Sequence, residues 1–127
     1  MKNILITGGG GYIGTNLTKE LLNDGYNVNV IDTFWFGNYL HKHKNLKILK
    51  KDIRSIVKKD LMKIDCIMHL ASIANDPAAE LDERLTWDVN VLATYKLINL
   101  AIKEKVKKFI FASSGSVYGI KKEKKVT

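Results

Sequence analysis

The 127-residue chain is poor in the residues that staple small proteins and break helices, with one cysteine and one proline. A lone Cys66 excludes a disulfide framework and a cysteine-based zinc site. In the apolar run Cys66-Ile67-Met68 it reads as a small buried hydrophobe. No apolar stretch approaches the roughly 20 residues that span a bilayer. Met1-Lys2-Asn3-Ile4-Leu5-Ile6-Thr7 has an apolar core of three residues before glycines begin, unlike a signal peptide. The expected location is therefore cytoplasmic, with no membrane partner. Arginine is scarce as well, Arg54 and Arg84 being the only two.

With 46% hydrophobic and 27% charged residues, the composition is that of one ordinary soluble domain. At this length folding buries roughly two-thirds of the unfolded chain's surface, so no staple is needed. The formal charge is +8, from 21 basic against 13 acidic residues. Lys42, Lys44, Lys47, Lys50, Lys51, Arg54, Lys58, Lys59 and Lys63 form one basic stretch. Lys103, Lys105, Lys107, Lys108, Lys121, Lys122, Lys124 and Lys125 form another. The first holds no aromatic residue, no helix-turn-helix or RNP-like pattern appears, and specific base readout favours arginine over lysine. The lysines read as a solvated surface with a mild pull on a phosphate-bearing ligand, not as a nucleic-acid footprint.

Short apolar runs alternate with helical stretches. Strands are expected at Asn3–Thr7, Asn27–Ile31, Leu46–Leu49, Ile64–Leu70 and Val106–Ala112, and a helix over Tyr12–Asn23 that stops at Asp24-Gly25. Asn75-Asp76-Pro77 marks a loop, and a long helix is expected over Leu81–Lys105. Acidic Asp76, Glu80, Asp82 and Glu83 suit that loop and the helix's first turn. Leu85, Val89 and Leu92 form one stripe on the long helix; Val91, Tyr95, Ile98 and Ile102 form another. This arc is wider than one sheet face needs. The excess is contact with a partner subunit, contact with further sequence, or a broad internal face. The alternation implies an α/β fold, a doubly wound parallel sheet with right-handed crossovers and strand order 3-2-1-4-5.

Five of the nine glycines, Gly8, Gly9, Gly10, Gly11 and Gly14, fall within seven positions. Gly9-Gly10-Gly11-Tyr12-Ile13-Gly14 satisfies G-x-G-x-x-G between an expected strand and an expected helix, the context that gives the motif meaning. Glycines allow a tight turn and close approach of backbone to a pyrophosphate, while the helix N-terminus supplies free N–H groups and positive dipole. Asp32 closes the second strand 18 residues past Gly14. A carboxylate there accepts hydrogen bonds from ribose hydroxyls and repels a 2′-phosphate, favouring NAD over NADP. No metal site and no catalytic carboxylate pair is expected.

Thr7-Gly8-Gly9-Gly10-Gly11-Tyr12-Ile13-Gly14 resembles the T-G-x-x-G-x-x-G fingerprint of the extended short-chain dehydrogenase/reductases, and more narrowly the NAD-dependent epimerase/dehydratase family acting on nucleotide sugars. Asp52-Ile53-Arg54 resembles its D-[IVL]-R segment, and His69-Leu70-Ala71-Ser72 its H-x-A-A segment. Asn90-Val91-Leu92-Ala93-Thr94 is similar to N-V-x-G-T, and Ser113-Ser114-Gly115-Ser116-Val117-Tyr118-Gly119 to the S-S-x-x-V-Y-G turn.

The resemblance implies a Rossmann fold with Gly8, Gly11, Tyr12, Ile13 and Gly14 on the pyrophosphate and Asp32 on the ribose. It implies Asp52 and Ile53 at the adenine, and Leu70, Ala71 and Ser72 on the nicotinamide side. Asn90 would fix the loop beneath, although a buried helical asparagine as often serves only backbone groups. His69 reads as a packed strand residue. Ser114 would be the active-site hydroxyl on the sugar oxygen that becomes a carbonyl, with Ser116 beside it on the substrate side.

Two departures stand out. Some epimerases carry a lysine in the stretch matching Ile73-Ala74-Asn75, where Ala74 stands here, so looser cofactor retention is expected. The family's general base is a tyrosine whose pKa is lowered by a lysine one helical turn on, and no such pair precedes Thr127. Tyr118 and Lys122 have the spacing, but Tyr118 belongs to the V-Y-G turn and Gly119 does not favour a helix. The expectation is that residues 1–120 are an incomplete Rossmann domain and the lysine-rich 121–127 the cut end of a longer chain, inactive alone. The alternative is a non-catalytic dinucleotide-binding module acting through a protein partner.

Overall fold

A computed structural model describes residues 2–74 and 81–114. Strands β1 (Asn3–Thr7), β2 (Asn27–Asp32), β3 (Leu46–Lys50), β4 (Cys66–His69) and β5 (Lys108–Phe111) form one sheet in the order β3-β2-β1-β4-β5. Every adjacent pair is parallel, as the alternation of strands and helices requires. Helix α1 (Tyr12–Asn23) follows β1. Two 3-10 turns, Ile53–Ser55 and Lys58–Leu61, join β3 to β4. Helix α2 (Glu83–Trp87), a π-helical turn (Asp88–Leu92) and helix α3 (Ala93–Lys103) lead to β5.

Period-two alternation along the strands divides the core between the sheet's two faces. Ile4 and Ile6 join Val28, Val30, Cys66 and Leu21 of α1 on one side. Leu5 joins Ile31, Ile67, the 3-10 turns and Val89, Ala93, Leu97 and Ala101 on the other. Full burial of each such aliphatic side chain is worth roughly 1.5–3 kcal/mol. Cys66 lies in this core, where burial pushes its thiol pKa up. The edge strand β3 exposes Lys47 and Lys50, charges that discourage pairing with another edge.

Asp65 ties the strand starts together. Its Oδ2 accepts the N–H groups of Asn3 and Lys2, both at 3.0 Å, and Oδ1 lies 3.2 Å from Lys107 Nζ. The Asn3 and Lys2 amides, then the Lys107 ammonium, hold its carboxyl well below the usual carboxylate range.

Several boundaries differ from the sequence reading. The long helix begins at Glu83, with Asp82 as N-cap accepting the Leu85 N–H at 2.9 Å. It is interrupted by the π turn and ends at Lys103 instead of Lys105. Lys105 adopts a left-handed φ of 56°. The Val106 and Lys105 N–H groups turn back to the Ala101 and Ile102 carbonyls at 2.9 and 3.1 Å, a Schellman closure. That closure consumes Val106, so β5 starts at Lys108. Strand β4 is likewise shorter than Ile64–Leu70.

Candidate dinucleotide site

The carboxyl ends of all five strands open into one cleft of about 550 Å³. This is where ligands bind in open α/β sheets, and the volume lies within the usual range for ligand pockets. Gly8, Gly11, Tyr12, Ile13, Gly14, Asp32, Asp52, Ile53, Leu70, Ala71 and Ser72, all expected at the site, line it together.

The glycine turn is built by steric necessity. Gly8 has φ +76°, and a Cβ there would stand 2.6 Å from the Ala71 backbone nitrogen. A Cβ on Gly14 would collide with the Gly8 carbonyl oxygen and stand 2.6 Å from Gly9 Cα. These contacts set β1, the loop after β4 and the start of α1 against one another. Gly11 N-caps α1 with no side-chain hydrogen bond, and the first turn holds no acidic residue. The N–H groups and positive end of α1 therefore face the cleft uncompensated, an arrangement suited to an anion.

Asp32 is fixed by two amides. Its Oδ2 accepts the Gly10 N–H at 2.9 Å and its Oδ1 the Phe34 N–H at 2.7 Å. Each oxygen keeps a lone pair for a further donor. The nearby cations are occupied: Lys51 Nζ lies 2.6 Å from Asp60, and Arg54 meets Asp52 through Nε at 3.0 Å and a terminal nitrogen at 2.7 Å. The Arg54 hydrogen bonds hold the Asp52 carboxyl below its ordinary range. Asp52 thus lines the cleft with its carboxylate paired to Arg54.

Asn90 does not line the cleft; it fastens the segment that does. Its amide donates to the Ile73 carbonyl at 3.0 Å and accepts the Ile73 N–H at 2.8 Å. It sits in the π turn, a feature common at functional positions. Below it, Thr94 donates to the Asn90 carbonyl at 2.9 Å. The Thr94 oxygen therefore accepts the His69 Nε2–H at 2.7 Å, and His69 Nδ1 accepts the Thr7 hydroxyl at 2.6 Å. His69 is buried and stacked on Phe111, with ring centroids 5.5 Å apart. Desolvation lowers its pKa to about 4. It is a packed, neutral residue coupling β1 to α3.

Ser113 lines the cleft and exposed Ser114 follows it. Ser116, Tyr118, Lys122, the 121–127 stretch and Asp76 and Glu80 lie outside the described residues. The sequence reading missed Thr33, Phe34, Trp35, Phe36, Gly37 and Lys51, which all line the cleft. Three consecutive aromatics just after the ribose-type acid were the available signal. Ala74, in the place of the lysine of some epimerases, lines the cleft as well. Among the described residues no helix is long and apolar enough to cross a membrane.

The fold and this constellation have relatives. The chain is 36% identical over 123 residues to UDP-glucuronic acid decarboxylase 1 of Danio rerio, a match that covers 93% of the chain and 28% of that protein. Its fold superimposes with a TM-score of 0.91 on UDP-N-acetylglucosamine 4-epimerase from Methanobrevibacter ruminantium M1 in complex with UDP-N-acetylmuramic acid, at 32% identity. That match covers 99% of this chain and 42% of the epimerase. The Thermus thermophilus UDP-glucose 4-epimerase complex with NAD gives a TM-score of 0.84 at 27% identity, covering 98% of this chain and 42% of that one. The chain thus spans well under half the length of these relatives. The family model described as NAD dependent epimerase/dehydratase matches residues 4–127, and the chain belongs to that family.

Proposed function

We propose that the chain is the NAD-holding part of a nucleotide-sugar epimerase or dehydratase that transiently oxidises a sugar hydroxyl. The observation that carries this reading is the joint placement, in one cleft, of an uncapped helix N-terminus and the amide-fixed Asp32. Gly8, Gly11, Tyr12, Ile13 and Gly14 hold the pyrophosphate, and Asp32 accepts from the ribose hydroxyls. Ile53 and the backbone after Asp52 meet the adenine; Leu70, Ala71 and Ser72 border the nicotinamide, held up by Asn90. Bound NAD supplies the hydride acceptor. Ser114 hydrogen-bonds the sugar oxygen as it gains carbonyl character, with Ser116 beside it. The proton goes to a tyrosine paired with a lysine, and Tyr118 with Lys122 is not that pair.

Asp32 sets the cofactor preference. A 2′-phosphate would meet the Asp32 carboxylate, and the cations able to offset that repulsion, Lys51 and Arg54, are already paired. NADH should therefore bind at least about tenfold more tightly than NADPH, by calorimetric titration. Equal affinities would remove the role given to Asp32.

The chain alone is expected to turn over no UDP- or dTDP-sugar in a coupled or chromatographic assay. Measurable epimerisation would reinstate Tyr118 and Lys122 as the base. The long helix also supports a homodimer: Tyr95 and Ile102 are each 69% exposed, and Val91, Leu92 and Ile98 are exposed on the same rod. A contiguous apolar patch of this kind marks an interaction surface. Sedimentation should show self-association, and a clean monomer at tens of micromolar would count against the dimer.

A further inference from the structure

Immediately after Asp32 the chain makes a tight turn from Phe34 to Gly37, closed by the Gly37 N–H donating to the Phe34 carbonyl at 3.2 Å. Turn centres usually carry Gly, Pro, Asn, Asp or Ser, for conformational reasons. Here the two central residues are Trp35 and Phe36, 59% and 90% exposed, and both line the cleft.

The turn is held from below. The Phe34 N–H is bonded to Asp32 Oδ1 at 2.7 Å. Phe34 itself takes a φ of 55°, uncommon for a bulky side chain and retained only where the surroundings enforce it. Its ring lies over Gly10, where a Cβ would stand 2.7 Å from two ring carbons, and joins the core on the α1 side. One phenylalanine is thus sunk as an anchor and the next two aromatics are displayed. Buried Ile53 and the Asp52 backbone contribute to the same cleft. Large aromatic surface left exposed within a ligand cleft calls for a flat apolar occupant.

We infer that Trp35 and Phe36 form a stacking shelf for the purine of the dinucleotide, an aromatic wall with Ile53 as a further apolar contact. The inference rests on the cofactor reading above, because Asp32, which holds the ribose in that reading, is also the group that orients the turn. The shelf recognises an aromatic base by its face, while Asp32 recognises the sugar.

The test uses the two tryptophans of the chain. In a Trp87→Phe background, Trp35 is the sole tryptophan, and the shelf predicts that ADP-ribose quenches its emission as fully as NAD does. Nicotinamide mononucleotide, which lacks the purine, should leave it unchanged. The double variant Trp35→Ala/Phe36→Ala should weaken ADP-ribose binding about 5- to 150-fold by calorimetry, and Trp35→Phe should keep it near the parent value. Both truncated side chains are exposed, so circular dichroism and the melting temperature should hold. If ADP-ribose binds calorimetrically while Trp35 emission and the double variant's affinity stay unchanged, the shelf is wrong and the cofactor reading stands. If neither ADP-ribose nor NAD binds, both fall together.

Discussion

Gly14→Ala will lose at least about a hundredfold in dinucleotide affinity and melt roughly 4–12 °C below the parent. The new methyl has nowhere to go, because it meets the Gly8 carbonyl oxygen and the Gly9 backbone, not the end of a flexible side chain. Overpacking against fixed atoms costs typically 1–3 kcal/mol, and a domain of this size loses about 4 °C for each kcal/mol. Relief requires α1 to swing away from the turn, and that motion carries the first-turn N–H groups off the anion. Hydrogen bonds to a charged group are worth about 1.5–3 kcal/mol each, so losing two reaches a hundredfold. Gly25→Ala is the control. Gly25 has φ +87° and closes the other end of α1, yet nothing lies within 4 Å of an added Cβ. Its strain, of order 1 kcal/mol, should appear in the melting temperature alone. Unchanged NADH affinity in Gly14→Ala would show that helix and turn do not need their present approach to hold the ligand.

These two glycines show what sequence patterns carry and what they leave out. Gly25 reads directly as a helix stop, because a residue without Cβ is the cheapest choice for a left-handed Schellman position. Lys105 occupies the same geometry at the end of α3, and nothing in a lysine announces it, so the helix reads two residues too long. The sheet order was legible for a comparable reason. Strand-helix alternation and right-handed crossovers leave few arrangements open, and the glycine fingerprint names the first crossover. The π turn was not legible, since its spacing differs from an α-helix by a single residue over five positions.

The site divides in the same way. The glycines of the turn were readable because the motif itself states their steric need, and Asp32 because an acid closing the next strand has a fixed place relative to that motif. The commitments of the remaining cleft residues depend on partners distant in space or across irregular turns. Asp52 lines the cleft, and its pairing with Arg54, two residues away, is made across a turn that no periodicity marks. Asn90 reads equally well as an amide serving backbone groups or as a loop support, and its paired bonds to the Ile73 backbone fit both. The Trp35–Phe36 turn falls between elements, where neither helical nor strand periodicity assigns a direction to a side chain.

His69 makes the chain acid-labile above the pH at which its carboxylates begin to protonate. The ring is buried between the Thr7 hydroxyl on β1, the Thr94 hydroxyl on α3 and the rings of Phe109 and Phe111 on β5. Those neighbours supply no charge to offset an imidazolium, and desolvation brings the folded pKa from 6.5 to about 4. The unfolded chain therefore binds the proton first as pH falls. Stability is whole above about pH 6.5, declines between the unfolded and folded values, and is lower by about 3 kcal/mol at pH 4. Asp52 and Asp65 have lowered pKa values, so the stability they add is present above their unfolded pKa of 3.8 and is lost only below that window. Urea unfolding at intervals from pH 7.5 to 4.5 should show the decline in the parent. In His69→Gln, an amide can still accept from Thr7 and donate to Thr94 without titrating, and most of the decline should vanish. A parent and variant that lose stability in parallel across that range would mean that the imidazole is not the group taking up the proton.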